Sequence, residues 1–213
     1  MQERARVDWY FDVISPYAYL QAEQIERVAA VADVHCKPLL FAGLLNHWGQ
    51  LGPAEIEPKR RFTFRYAIWR GARLGLEVRP PPAHPFNPLK LLRLAIVLRD
   101  DRARVLEVFR FVWRHGKSAD DPQAWAELCE RVGMPDAEQR IAEPAVKDAL
   151  RANGEEAIAR GVFGVPTLVA QDGELFWGDD ATDMLLDYLR GDALFASEQM
   201  RRADTLPMAA SRR

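Results

Sequence analysis

A serine followed by a proline stands where the first alternating segment of the chain ends. Ser15 is a preferred helix N-cap and Pro16 a preferred first helical residue, so a helix should begin here. The free amide groups of a first helical turn favour negative charge and can lower the pKa of a thiol bound beside them. Taken alone, the pair favours a simple helix cap, and a chemical role for Ser15 needs support from elsewhere in the chain.

A second candidate is Gly164-Val165-Pro166, at the start of a strand-like run. A proline in this position often only marks the beginning of a strand. A cis bond before Pro166, next to the first helix, would turn the N–H and C=O of Val165 outward, where a bound peptide could pair with them like an added strand. A cysteinyl peptide held in this way would bring its sulfur to Ser15.

Two carboxylates form the third candidate, because Asp179 and Asp180 come directly before the last helical pattern. One acid is enough to cap that helix and to complement its dipole. The second is available to hold the ammonium of a ligand while the helix amides hold its carboxylate. The pair therefore suits the α-amino-acid end of a ligand.

A run of cations lies on one predicted helix that Pro58 opens and Gly75 closes. Most of its members should form a solvated face, and one or two could face a cleft and hold anionic groups. The run consists of Lys59, Arg60, Arg61, Arg65, Arg70 and Arg73.

These residues need a scaffold, and the hydrophobic periodicity indicates its elements. The segment from Val7 to Val13 alternates as a strand with one buried face, a helix follows with its apolar face running to Ala29, and 34–40 reads as a second strand. Capped helical patterns then take over, including 89–98, until 166–170 and 175–177 form a hairpin before a final helix. A strand–helix–strand unit implies a parallel crossover.

The order of elements predicts an α/β chain with a thioredoxin-like fold, in which a large all-helical insertion separates a strand-helix-strand half from a strand-strand-helix half. We expect residues 1–42 and 161–195 to form the thioredoxin-like domain and residues 43–160 the inserted helical domain. Residues 196–213 are a C-terminal tail, polar and basic enough to fray.

Composition excludes several classes of protein. The 213 residues are 48% hydrophobic, enough for one substantial core, and 29 basic residues nearly balance 31 acidic ones, so no nucleic-acid partner is expected. No signal peptide or membrane-spanning run is recognisable. Cys36 and Cys129 lie 93 positions apart without metal-ligand spacing, so we expect no disulfide, no metal site and a reducing, cytoplasmic location.

Three segments together resemble the family of 2-hydroxychromene-2-carboxylate isomerases and kappa-class glutathione transferases, itself similar to DsbA. They are 10–20 around Ser15, 161–167 around the Val165-Pro166 pair, and 176–180 with the two acids. By this resemblance Ser15 and Ala18 replace the two cysteines of a DsbA-type CxxC, so the chain supplies no redox pair. The family uses glutathione for its thiol, and Ser15 would donate a hydrogen bond to the glutathione sulfur.

The resemblance also implies a set of site residues. The predicted glutathione contacts are Ser15, Asn46, Lys59, Val165, Pro166, Asp179 and Asp180, and the predicted substrate cleft includes Tyr17 and Asn87. Relatives often carry Asn or Ser, then Asp, then Arg where this chain has Asp179, Asp180 and Ala181. The resemblance implies a homodimer that acts on a small aromatic or electrophilic molecule.

The function predicted first is a glutathione-dependent isomerase of aromatic catabolism, in which the thiolate adds reversibly to a conjugated aromatic carboxylate. A kappa-type glutathione transferase is the alternative, because the same residues serve both reactions and only the second pocket differs. A non-catalytic thioredoxin-like binding module is a second alternative, and a protein thiol oxidoreductase is disfavoured because no cysteine stands at the helix start.

Overall fold

The computed structural model describes residues 4–210. The strands are β1 (Arg6–Phe11), β2 (Asp33–Pro38), β3 (Thr167–Ala170) and β4 (Leu175–Trp177). The helices are α1 (Pro16–Ala22), α2 (Ile25–Ala29), α3 (Phe41–Trp48), α4 (Glu57–Arg73), α5 (Leu89–Leu98), α6 (Arg102–Trp113), α7 (Pro122–Arg131), α8 (Ala137–Arg140), α9 (Pro144–Ala159), α10 (Ala181–Leu189) and α11 (Glu198–Asp204). Short 3₁₀ turns span Pro53–Glu55 and Ala193–Ala196.

The four strands form one mixed sheet in the order β2-β1-β3-β4. Strand β1 runs parallel to β2, with Val7 opposite Val34, and antiparallel to β3, with Tyr10 opposite Thr167. Strands β3 and β4 form the predicted hairpin. This topology confirms the predicted thioredoxin-like α/β fold, while the division into two domains stays a prediction.

Strand β1 is buried on both faces, whereas its alternation predicts only one buried face. Trp9 and Phe11 pack on Phe109 of α6 on one side, and Tyr10 belongs to a second apolar cluster on the other. The polar side chains of β1 can be buried because α9 and the residue that follows it supply their hydrogen-bond partners. The Tyr10 hydroxyl donates to Glu156 at 2.7 Å, and Arg160 pairs with Asp8 at 2.5 Å.

The helix predicted to run from Pro16 to Ala29 is interrupted at Glu23 and Gln24, which separate α1 from α2. Glu23 ends α1, and its carboxylate pairs with Arg110 of α6 at 2.7 Å. Helix α1 also packs on α6. The interruption therefore lies where a buried ion pair fixes the end of α1 against the helical part of the chain.

A buried glutamine joins α1 to the residues that precede α10. Gln21 is fully buried, accepts a hydrogen bond from Trp9 Nε1 at 2.8 Å, and donates through Nε2 to the carbonyl of Gly178 at 2.8 Å and to Thr182 Oγ1 at 3.2 Å. Buried polar groups are costly when they lose their partners. Gln21 thus holds the start of α10 against the helix that carries Ser15.

Replacing Gln21 with leucine should lower the free energy of unfolding by roughly 2–4 kcal/mol, because the Trp9 indole and the Gly178 carbonyl would each lose a buried partner. Urea unfolding measures the difference. Gln24→Leu is the matched control on the same stretch, since the Gln24 amide donates only to the Leu20 carbonyl at a partly exposed site. Equal losses in both variants would contradict this role of Gln21.

Candidate active site

Ser15 occupies the N-cap of α1, as predicted. Its Oγ accepts a hydrogen bond from the Ala18 amide at 3.2 Å, and its side chain lies at the surface of the core, with only 8% of the residue exposed. Within residues 4–210 neither the hydroxyl proton of Ser15 nor the amide of Tyr17 has an acceptor. Two donors at the start of α1 are therefore available to an anionic atom of a ligand.

Asp12 forms hydrogen bonds with the loop that carries Ser15. The sequence motifs did not identify this residue. Its Oδ1 accepts from the Ile14 amide at 3.0 Å, its Oδ2 accepts from the Phe41 amide at 2.8 Å, and its carbonyl accepts from the Ser15 amide at 3.1 Å. Burial raises the pKa of Asp12 to about 7, and the two amide donors oppose that shift. The alternation of β1 places Asp12 on the face predicted to be exposed, so no signal in the sequence indicated this role.

Two side chains from the helical part of the chain fix the same loop. Trp113 Nε1 donates to the Val13 carbonyl at 2.8 Å, and His84 Nε2 lies 3.0 Å from the Ile14 carbonyl. Burial lowers the pKa of His84, which favours the neutral imidazole with its proton on Nε2. His84 therefore contacts the backbone beside Ser15.

The bond between Val165 and Pro166 is cis, as the sequence analysis anticipates. Continuing the antiparallel register past Tyr10 and Thr167 brings Val165 alongside Asp12, three residues before Ser15. Among the described residues, neither the N–H nor the C=O of Val165 takes part in a hydrogen bond. A backbone donor and acceptor are therefore available next to the serine.

The two acids before α10 have different surroundings. Asp179 is 4% exposed and pairs with Arg70 Nε of α4 at 3.0 Å. Burial raises the pKa of Asp179, and the Arg70 guanidinium opposes the shift. Asp180 is exposed, and its carboxylate lies over Gly178, where an added Cβ would fall 2.6 Å from Oδ1. Because Gly178 also has a φ of +101°, only glycine fits this position well.

The prediction that one of these acids caps α10 is confirmed in position, since Asp180 is the N-cap residue, but neither side chain makes the capping hydrogen bond. Asp180 stands at the N-cap but has helical φ and ψ angles of −74° and −22°, and its side chain makes no capping hydrogen bond. A capping side chain needs an extended backbone to reach the first-turn amides. The Asp179 side chain faces Arg70 instead, and the Thr182 hydroxyl donates to the Asp179 carbonyl at 2.8 Å. The Asp180 carboxylate therefore has no role in the cap.

An aromatic and cationic surface adjoins this end of α1. Tyr17 contacts Tyr66 edge-on, with ring centroids 6.0 Å apart, and Phe62 and Trp69 flank Tyr66 on α4. Phe62 is 64% exposed and Trp69 57% exposed. Together with Arg61 and Arg65 these rings line an open groove of about 680 Å³, which we call the α4 groove. Large exposed rings beside cations are typical of a binding surface.

Three predicted site residues are not linked to Ser15 by any contact. Asn46 on α3 and Lys59 on α4 are exposed, and the Asn87 side chain accepts from the Leu89 amide at 3.0 Å at the start of α5. Their roles stay predictions. The structure does bring together the Ser15 loop, the Val165-Pro166 bond and the segment before α10, whose Gly178 amide donates to the Pro166 carbonyl at 2.9 Å.

Neither cysteine of the chain is placed for thiol chemistry. Cys36 lies in β2 and Cys129 in α7, and both are buried. Burial raises the pKa of Cys36 to about 12 and also raises the pKa of Cys129. From residue 4 to residue 210, no cluster of His, Cys, Asp or Glu could hold a metal ion, and no helix is long and apolar enough to cross a membrane.

The fold and the site together define the class of this protein. The family described as the DSBA-like thioredoxin domain matches residues 6–190, and the chain belongs to it. In this member Ser15 precedes the first helix and Ala18 lies in its first turn, and no cysteine is found there.

Comparison with individual proteins gives more specific relatives than the family model. The chain is 28% identical to glutathione S-transferase kappa 2 of Caenorhabditis elegans, over 89% of this chain and 93% of that protein. It is 26% identical to 2-hydroxychromene-2-carboxylate isomerase of Sphingobium xenophagum, over 86% and 97%. A solved 2-hydroxychromene-2-carboxylate isomerase superposes with a TM-score of 0.77 at 23% identity, covering 95% of this chain and all of that one. Both classes of relative are enzymes, and the family resemblance read from the sequence is confirmed.

The buried carboxyl of Asp12 makes the free energy of unfolding depend on pH. The pKa of Asp12 in the folded protein is about 7 against an ordinary 3.8, so the folded state keeps a proton that the unfolded chain loses as the pH rises from about 4 to 7. The free energy of unfolding should therefore fall across this range by up to roughly 4 kcal/mol, and then level off above pH 7.

Urea unfolding of the wild type and of Asp12→Asn at intervals between pH 4 and pH 8 measures this contribution as the difference between two curves. The asparagine variant should lack the decline, since its amide does not titrate. It should also be less stable at pH 4, because its NH₂ faces one of the two amide donors. Parallel curves for the two proteins would show that Asp12 titrates normally.

Proposed function

We propose that this protein is a glutathione-dependent isomerase of the 2-hydroxychromene-2-carboxylate isomerase type. In this proposal the glutathione thiolate, stabilised by Ser15, adds reversibly to a conjugated aromatic carboxylate. The observation that carries the proposal is the pairing of the Ser15 hydroxyl at the start of α1 with the unpaired backbone of Val165 beside it. The name of the kappa-class relative supports glutathione as the source of the thiol.

The thiolate is stabilised by donors that the structure leaves without acceptors. The Ser15 hydroxyl and the Tyr17 amide both meet at the first turn of α1, where the helix dipole favours negative charge. The Ser15 Oγ accepts from the Ala18 amide, which leaves its own proton available to the sulfur. Because Cys36 and Cys129 are buried, a bound thiol has no competitor from the chain itself.

The rest of glutathione is held along the edge of the same site. The Val165 N–H and C=O pair with the cysteinyl backbone in the manner of an added strand, and Pro166 lines this edge. Asp180 receives the γ-glutamyl ammonium, supported by its exposure and by its freedom from a capping role. The Arg70 guanidinium, which pairs with Asp179, binds the γ-glutamyl carboxylate. It takes the place of the arginine that relatives often carry where this chain has Ala181.

Asn46 and Lys59 are assigned to the glycyl end of glutathione and Asn87 to the second-substrate cleft, on the family resemblance. The protein is further proposed to act as a homodimer in the cytoplasm, in a pathway of aromatic catabolism. Two unpaired, buried cysteines fit a reducing compartment.

The α4 groove is the proposed site of the second substrate, with Tyr17 at its inner edge. Phe62, Tyr66 and Trp69 offer ring faces to an aromatic group, while Arg61 and Arg65 suit a carboxylate. A groove of about 680 Å³ lies within the usual range for small-molecule sites. The α4 groove therefore offers contacts for both the ring and the carboxylate of an aromatic acid.

In the isomerase reaction the sulfur of the thiolate forms a bond to a carbon of the conjugated system, and the electron pair of the double bond moves onto the conjugated oxygen. Rotation about the new single bond follows, and loss of the thiolate restores the double bond in its other geometry. Glutathione is regenerated. A transferase, which the kappa-class relatives favour as a second candidate, retains the sulfur–carbon bond. Counting free thiols during turnover separates the two: constant glutathione supports the isomerase, and stoichiometric loss supports the transferase.

Ser15→Ala should abolish the saturable thiolate absorbance that glutathione gives on binding at neutral pH, together with turnover, because the sulfur loses its hydroxyl donor. Ultraviolet difference titration measures the thiolate. Unfolding stability should fall by about 1 kcal/mol, the cost of a lost cap. Ser197→Ala is the matched control: Ser197 caps α11 through the Met200 amide, and its loss should leave the glutathione signal intact. A thiolate signal that persists in Ser15→Ala would refute the proposed role of this hydroxyl.

The double variant Arg61→Met, Arg65→Met should raise the KM for an aromatic carboxylate at least tenfold and leave the affinity for glutathione unchanged. The reason is that the carboxylate would lose its charge partners while the ring-binding surface remains. Arg73→Met is the control, an exposed cation of α4 outside the groove. Steady-state kinetics with each substrate varied in turn measures both constants. If the KM rises in Arg73→Met and not in the double variant, the second substrate does not bind in the α4 groove.

A further inference from the structure

A second groove, between α3, α5 and α9, contains an arginine without a counter-charge. Arg93 lies on α5, is only partly exposed, and its Nε is buried without a hydrogen-bond partner. No ion pair to Arg93 exists within residues 4–210, although most of the partly buried arginines of this chain are paired, such as Arg70, Arg110 and Arg160. Placing a cation in a partly buried position without a partner is costly.

The groove around Arg93 is apolar and has room for a ligand. Its volume is about 340 Å³, and its walls include Leu40, Leu44, Leu150 and Ile158. We call it the α9 groove. This volume is at the lower end of the range for small-molecule sites. The lining therefore combines a hydrocarbon surface with one unsatisfied guanidinium.

Charge along the α9 groove is positive. Arg151 and Glu155 both line it; Arg151 pairs with Asp148 at 3.1 Å and lies 4.0 Å from Glu155, so these three exposed charges contribute no net positive charge. Lys147 also lines it and forms no ion pair within the described part of the chain. Arg93 and Lys147 thus leave two uncompensated cations beside an apolar wall.

Two helical glycines line the groove. A Cβ added to Gly43 of α3 or to Gly154 of α9 would meet no atom within 4 Å. Glycine lowers the stability of a helix relative to alanine, and neither residue has the positive φ that would require glycine. The open space beside them belongs to the groove that both residues line.

We propose that the α9 groove binds an amphipathic monoanion, an aliphatic chain that ends in a carboxylate. The carboxylate lies on the guanidinium of Arg93 and near Lys147, and the chain lies against the leucines and Ile158. None of the residues predicted to bind glutathione or the second substrate lines this groove. The site is therefore separate from the proposed catalytic one, although α3 contributes to it and begins at Phe41, which Asp12 holds.

Isothermal titration of the full chain with octanoate tests the proposal, with octylamine and 1-octanol as charge controls. Octanoate should bind saturably, and the amine and the alcohol at least tenfold more weakly. Arg93→Met, which keeps an apolar stem, should weaken octanoate binding at least tenfold, and Arg99→Met, an exposed cation at the end of the same helix, should not. Equal binding of octanoate and octylamine, or unchanged binding in Arg93→Met, would overturn the proposal.

Gly154→Leu fills the groove without touching a charge and should abolish octanoate binding, while Gly154→Ala should keep it. This pair decides the question if Arg93→Met fails to fold. The thiolate signal of bound glutathione should be unchanged in all of these variants, so the result is independent of the proposed function. If octanoate fails to bind and Gly154→Leu converts a dimer into a monomer on sedimentation, the groove is an interface between copies of this chain and the proposal is wrong.

Discussion

The buried carboxyl of Asp12 is the constraint on which the rest of the site depends. Its two oxygens bind the amides of Ile14 and Phe41, so one side chain determines both the turn into α1 and the start of α3. A carboxyl is suited to this position because two convergent N–H groups need two acceptors. The cost is a buried acid whose charged form is disfavoured, which the raised pKa records.

Around this anchor the chain assembles its site from segments far apart in sequence. Trp113 and His84 come from the helical part and bind the backbone of Val13 and Ile14, while Gln21 ties α1 to Gly178. The helices between the two halves of the sheet are thus part of the support for Ser15. Positions that look like core packing in the sequence determine where the serine hydroxyl lies.

With Ser15 and Ala18 at the start of α1, this DsbA-like chain has no dithiol there. A dithiol exchanges disulfides, whereas a serine hydroxyl cannot, although it can donate a hydrogen bond to a thiolate brought by a ligand. The burial of Cys36 and Cys129 is consistent with this, because neither thiol can reach a helix start or ionise readily. In the proposed function, the start of α1 keeps an environment that favours a thiolate, and glutathione supplies the sulfur. Catalysis then depends on how well the site binds that cofactor.

Much of the local structure followed from the sequence alone. Alternation identified β1, the apolar run 89–98 located α5, and the Ser15-Pro16 pair identified the start of α1, because these signals act over a few residues of chain. The family resemblance also followed, since its motifs are contiguous. The break between α1 and α2, and the burial of both faces of β1, were not predictable in this way. They depend on Arg110 and on α9, which are distant in sequence.

Asp179 and Asp180 also show which properties follow from the sequence and which depend on the tertiary structure. Their position before α10 was readable from the sequence, but only the tertiary structure brings Arg70 to Asp179 and leaves Asp180 without a capping role. Asp12 and Arg93 carry no local motif at all. Their significance lies in which distant groups surround them, two amide donors in one case and an apolar groove without a counter-charge in the other. Sequence periodicity reports which face of an element is buried, whereas the partners a buried polar group finds are decided by the packing of the whole chain.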